Sequence, residues 1–280
     1  MIYISTSCIK SEFISEAVLF LAENNIFNIE LSGGTKYYDG FENDLIDLKR
    51  KYKLNYIIHN YFPPPEQDFV INLSSLNDDI YNKSIYHFKR AINLAGQLDI
   101  DKIGLHAGFL IDPSVSEIGK PIKKKIINNR EQGIKRFVAA YKMLKEHTNI
   151  EIYVENNVVS LSNFENFGAN PLLFTCYDEY KEMQEQLSFP YILDVAHLKV
   201  SSNTLSLDFD AELNKLLPNC NYLHLSDNDG KHDENLLLKE NSNLLNKLSQ
   251  FDLKNKIITL EIYENFDAIM QTHKLINQLC

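Results

Sequence analysis

Short apolar runs, each closing on a polar residue and each followed by a helical pattern, recur along this chain from end to end. They fall at 2–7, 27–32, 56–61, 102–107, 151–157, 191–198, 221–227 and 257–263. Cores such as YIIH, KIGLH, IYVEN, YILDVAH, YLHLSD and IITLEIY are nearly continuous apolar stretches. Strands buried on both faces read this way, as a parallel sheet requires. Between them lie amphipathic patterns. The stretch SEFISEAVLFLAENN opens with Ser11 as a cap candidate, and further patterns cover 81–98, 129–147 and Phe266–Leu279. A β-then-α alternation without a break in composition predicts a closed (β/α)8 TIM barrel, one domain over 1–280, rather than an open doubly wound sheet. No GxGxxG follows the first run, which argues against a dinucleotide fold. The connections 62–75, 109–122, 158–174 and 228–239 are long, and long connections on one barrel face build a site or its lid.

Composition narrows the function classes. The formal net charge is −10, and Lys123 to Lys125 form a basic run. Phosphate neutralisation supplies most nucleic-acid affinity, so a nucleic-acid partner is not expected. The segment GKPIKKK at 119–125 reads first as a solvated face and only second as a grip on a substrate phosphate. Cys8, Cys176, Cys220 and Cys280 show no CxxC spacing, which suits a reducing compartment. No apolar run approaches the roughly 20 residues that span a bilayer. The start MIYISTSCIK lacks a basic region followed by a long apolar stretch. The expectation is a cytoplasmic protein without a membrane partner, its oligomeric state open.

The polar residues at the ends of the runs carry the chemistry. His59 closes the third, His106 the fourth and Glu155 the fifth. Asp194 and His197 lie in the sixth, His224 and Asp227 in the seventh, and Glu261 in the eighth. In a barrel these ends converge on one mouth. Taken singly, His59 or His106 is a hydrogen-bonded core histidine, Glu155 or Glu261 a partner for a lysine, and Asp194 a helix cap. Together they ask for more. Half of the chain's 8 histidines stand at strand ends beside three carboxylates. A buried unpaired carboxylate is costly, and a divalent cation removes that cost. Mixed imidazole and carboxylate donors suit Mn²⁺, Zn²⁺ or Co²⁺ better than Ca²⁺. His87, His147 and His273 lie in helical patterns as surface or packing residues, while His232 in the seventh connection stays open.

The segments GLHAG, YVENN, LDVAHL, HLSDNDGKHDEN and LEIY, in that order, resemble the xylose isomerase-like barrels. That group includes sugar and sugar-phosphate isomerases and epimerases, and the endonuclease IV abasic-site nucleases. The resemblance covers nearly the whole chain. It implies one metal held by Glu155, Asp194, His224 and Glu261, with His197 touching substrate. For the nuclease branch it implies further ligands at His59 and His106, which would hold a second ion sharing Glu155. Asp233 then matches the aspartate of a third site. Asn235 falls where that site's histidine belongs, and His232 is out of register. The stretch FVINLSS at 69–75 echoes the nuclease branch.

The expected function is a metal-dependent sugar or sugar-phosphate isomerase or epimerase. Glu155 and Glu261 exchange a carbon-bound proton through an enediolate, and His197, His106, His59 and Asp233 face the substrate. The alternative is a zinc phosphodiesterase of the endonuclease IV kind. A barrel that only binds a ligand is the third reading.

Overall fold

In the computed structural model, which describes residues 1–280 except Lys124 and His147, each apolar run begins a strand. The order is β1 (Ile2–Ser5), α1 (Ile14–Glu23), β2 (Asn28–Leu31), α2 (Phe41–Tyr52), β3 (Asn55–Ile58), α3 (Asp78–Gln97) and β4 (Lys102–His106). It continues through α4 (Arg130–Lys145), β5 (Glu151–Glu155), α5 (Leu161–Phe167), α6 (Tyr177–Gln186), β6 (Tyr191–Asp194) and α7 (Val195–Thr204). Next come α8 (Phe209–Leu216), β7 (Tyr222–Leu225), α9 (Asn243–Leu248), β8 (Ile257–Leu260) and α10 (Phe266–Leu279). The strands close into a parallel barrel in sequence order, with β8 paired back onto β1. The expected (β/α)8 barrel is the fold.

Alternation along the strands sorts the side chains. Tyr3, Ile57, Tyr153, Ile192 and Tyr222, with partly buried Ile257, form a compact apolar cluster separate from the large strand–helix core. This cluster plugs the barrel's interior. Two residues further along the same strands, on the same inward face, stand His59, Glu155, Asp194 and His224. Thr259 and then Glu261 continue the inward face of β8. The site is therefore a polar layer resting on an apolar plug.

Two boundaries differ from the sequence reading. The sixth strand stops at Asp194 rather than continuing to 198, because Asp194 turns the chain by capping α7: its Oδ1 accepts from the His197 N–H at 2.7 Å. The apolar continuation VAHL is the buried first turn of that helix. Ser11 does not cap α1. The helix starts at Ile14, and the Glu16 carboxylate reaches back to the Glu12 and Phe13 N–H groups. The basic run divides likewise: the Lys125 ammonium pairs with Glu117 at 3.0 Å, and Lys124 lies outside the described residues, as does His147. No helix among the described residues is long and apolar enough to cross a membrane.

His87 is a packing residue. It is 2% exposed in α3, with its ring edge-on to Phe69 and Phe88. Burial pushes its imidazole down to about 4, Arg90 adds to this, and a backbone hydrogen bond at Phe62 opposes it. The unfolded chain thus takes up this proton more readily than the folded one. The contribution to stability is complete above the ordinary value of 6.5 and declines as pH falls from there towards 4. For a fully buried group it is worth on the order of 3 kcal/mol. We expect His87→Leu to narrow the difference in unfolding free energy between about pH 7 and about pH 4.5, read by urea titration at both. An unchanged difference would count against this account.

Candidate metal centre

Glu155 ends β5 with no exposed surface, and imidazoles from four elements surround its carboxylate. Oε2 lies 2.6 Å from His59 Nε2 and 3.4 Å from His106 Nε2. Oε1 lies 3.1 Å from His224 Nδ1 and 3.8 Å from His197 Nδ1. Burial opposes its charge, yet His106, His59 and His224 hold the carboxyl well below the usual carboxylate range. The His59 ring needs room to reach it, and β4 provides this with a glycine. A Cβ at Gly104 would stand 2.5 Å from His59 Cδ2 and 2.6 Å from Ile192 Cδ1. Burial drives the His106 imidazole down to about 4, so His106 is neutral and one of its ring nitrogens keeps a lone pair for a metal or a hydroxyl.

Asp194 has both roles that its sequence position offers. One oxygen caps α7, and the other, Oδ2, is buried without a hydrogen-bond partner. Burial pushes this carboxyl up to about 7, with His197 opposing and Glu155 and Asp233 adding. Asn156 fixes the pair. Its amide bridges the backbone N–H and carbonyl of Asp194 at 2.7 and 3.0 Å, and its own carbonyl meets His197 Nδ1 at 2.9 Å. The Nδ1–H of His197 is thereby committed. Nε2 faces Asp233 Oδ2 at 3.4 Å and Asp194 Oδ2 at 3.8 Å. Burial opposes the charge on His197, but the two aspartates raise it well above the ordinary range.

Glu261, just past β8, approaches the same nitrogen as Glu155: its Oε2 is 3.6 Å from His224 Nδ1. The other edge of the His224 ring belongs to Glu30, whose Oε2 lies 3.0 Å from Nε2. Sequence reasoning missed Glu30. The signal was present, a glutamate at an inward position of the apolar run NIEL, but it sits mid-strand rather than at a strand end. It missed Asn156 too, because an asparagine after the strand-end glutamate looks like loop chemistry. Other residues do not join the centre. Asp227 pairs with Lys199 at 2.6 Å, and His232 is exposed and bonds Asp229 at 3.0 Å.

The donors fit a metal. His59 Nε2, both Glu155 oxygens, Asp194 Oδ2 and His224 Nδ1 are buried, and none makes a properly directed hydrogen bond. They approach one another closely but not along hydrogen-bond directions. A hydrogen-bonded core avoids this, and a cation's ligand shell requires it. Three overlapping groups have ligand atoms within 4.8 Å: Glu155, Asp194 and His224; His59, His106 and Glu155; and Glu30, His59, His224 and Glu261. The four residues expected to share one ion are thus split between groups, with His224 the link to Glu261.

The model of the xylose isomerase-like TIM barrels matches residues 29–278. The chain belongs to that family. Solved structures with the same fold include a D-tagatose 3-epimerase-like protein, at 18% identity and TM-score 0.73, covering 99% of this chain and 96% of that one. A D-allulose 3-epimerase from Methylomonas sp. in complex with D-allulose gives 12% identity and 0.67, covering 100% and 96%. Endonuclease IV from Thermus thermophilus gives 13% and 0.63, covering 99% of both chains. At these identities the likeness is one of fold. No curated protein matches this chain in sequence.

Proposed function

We propose that this chain is a divalent-metal-dependent sugar or sugar-phosphate isomerase or epimerase acting by proton transfer through an enediolate. The observation that carries the reading is the approach of Glu155 and Glu261 to one imidazole nitrogen, at 3.1 and 3.6 Å, from strands with β6 and β7 between them. Two carboxylates thus flank one small volume at the barrel mouth. The family and the sugar epimerases among its solved structures support the same class.

Glu155, Asp194, His224 and Glu261 would hold the ion, and Mn²⁺, Zn²⁺ or Co²⁺ suits those donors. When bound, the cation would polarise two substrate oxygens and stabilise the enediolate's charge. One of the two glutamates removes the proton from the substrate carbon. The other returns it on the opposite face for epimerisation; for isomerisation the proton moves to the neighbouring carbon. His197, held through Nδ1 by Asn156, presents Nε2 to the substrate oxygen that gains charge. His106 and Asp233, with partly exposed side chains, meet substrate hydroxyls. His59 is buried against His106 and His224, with ring centroids 5.6 and 4.6 Å away, so its place is with Glu155 at a second ion rather than against substrate.

A second reading, a zinc phosphodiesterase of the endonuclease IV kind, draws on the convergence of His59 and His106 on Glu155 Oε2. The charge of −10 and Asn235 at the third-site position weigh against it.

The expected outcomes separate these readings. Purified protein should bind a divalent metal that Asp194→Ala largely loses; equal, negligible metal in both after supplementation would sink the proposal. An abasic oligonucleotide should survive the zinc-loaded protein. Efficient incision that His59→Ala abolishes would promote the phosphodiesterase. Solvent deuterium should enter a ketose, aldose or sugar phosphate during turnover, and Glu155→Gln or Glu261→Gln should slow this by at least about 10²-fold at matched metal occupancy. Turnover without solvent exchange would refute the two-glutamate route while leaving the metal centre standing.

A further inference from the structure

We infer that Glu30 is a positioning residue of the metal centre: it fixes the tautomer and orientation of His224 from behind. The inference rests on the metal reading above but not on the reaction assigned to it. Glu30 is mid-strand in β2, with no exposed surface. Its Oε2 accepts from three donors: the Tyr222 hydroxyl, the Thr259 hydroxyl at 3.0 Å and His224 Nε2 at 3.0 Å. Tyr222 is part of the apolar plug below, and its hydroxyl is also 3.2 Å from Thr259 Oγ1. The position of Oε2 is therefore set by the barrel itself.

The consequence follows from the imidazole. A neutral ring carries one proton, so a proton donated from Nε2 to Glu30 leaves the lone pair on Nδ1. Nδ1 is the atom that faces Glu155 and Glu261, and no hydrogen bond occupies it. The two ring nitrogens point away from each other across the ring. An ion on Nδ1 thus lies on the side remote from the oxygen that holds Nε2, which makes Glu30 a supporting carboxylate and not a ligand of that ion. Metal-bound histidines commonly have such a partner on their second nitrogen, and its removal typically costs about 10- to 100-fold in metal affinity. A packing role explains the observations less well. Packing needs no charge at this depth, and Glu30 Oε1 is buried without a hydrogen-bond partner.

The test uses the full chain with Zn²⁺ or Co²⁺ as the only probe, in competition with a chromophoric chelator. Glu30→Ala and Glu30→Gln are compared with the wild type, and thermal unfolding reports the folded fraction. In parallel, ¹⁵N-detected ring signals of the zinc-loaded protein report which ring nitrogen of His224 carries the proton. We expect Nε2–H in the wild type, mixed tautomers in Glu30→Ala, and metal affinity weakened there by about 10- to 100-fold. Glu30→Gln, which keeps an acceptor but no charge, should fall between. Should Glu30→Ala fail to fold, Glu30→Gln decides. A folded variant with wild-type affinity and an unchanged tautomer overturns the inference alone. A wild type that binds no divalent metal overturns both this and the metal reading. Failure of sugar turnover in a metal-binding protein touches neither.

Discussion

The constraint on which this structure turns is electrostatic: four carboxylates and several imidazoles are buried together at the axis of a barrel. Glu30, Glu155, Asp194 and Glu261 are at most 7% exposed, and His59, His197 and His224 at most 8%. Removing any one of these charges from water alone would cost several kcal/mol. They are tolerated because each has opposite charge or an oriented dipole against it, and because a cation can complete the balance. That balance requires every donor to arrive at one place with little freedom. Strands buried on both faces, with water kept out below by Tyr3, Tyr153 and Tyr222, provide that rigidity.

A second set of residues aims the donors. Asn156 ties the backbone of Asp194 and the ring of His197. Asp194 closes β6 and starts α7 with the same carboxylate that it turns to the site. Further out, the connections after β3 and β4 are joined by one side chain. The Asn72 amide donates to the carbonyls of Phe109 and Ile111, and its oxygen accepts from the N–H groups of Ser74 and Phe109. Gly108, with φ of 88°, lets the chain pass against Ser74, where a Cβ would stand 2.4 Å from Oγ. The stretch FVINLSS thus has a structural task, holding two mouth loops in register.

The barrel was legible because its signal is repeated: a double-buried strand, then a helix, over and over. The strand-end donors were legible because β periodicity puts a polar residue after an apolar one only at the top of the plug, as in Ile57 and His59 or Tyr222 and His224. Glu30 broke that rule. Its ladder partners are Ser5 and Ile57, so it lies lower, between plug and site, and nothing at a strand end announces it. Helix starts were the least legible, since apolar residues continue from β6 into α7 and only the side-chain bond of Asp194 marks the change. Side-chain pairing across the mouth was not legible at all. Asp227 resembled a site aspartate by position, and the approach of Lys199 from α7 decided otherwise.

What separates the two chemistries open to such a centre is therefore the rim rather than the shared core. The core donors around Glu155 serve either one. At the rim, His197 Nε2 and Asp233 Oδ2 stand 3.4 Å apart, one imidazole with one carboxylate. A further zinc ion there needs another nitrogen or carboxylate donor. Asn235 offers only an amide, whose nitrogen has no available lone pair, and its backbone carbonyl is already committed to the Tyr263 N–H. His232 is bonded to Asp229 at the surface. Asp194 Oδ2, 3.8 Å from the same nitrogen, belongs to the core donors, and no second histidine among the described residues joins His197 and Asp233 at the rim. A chain carrying −10 also presents the wrong sign to a polyanion. Asn235 at the third-site position and the charge of −10 are thus the two features on which our proposal ranks a sugar substrate above a phosphodiester one.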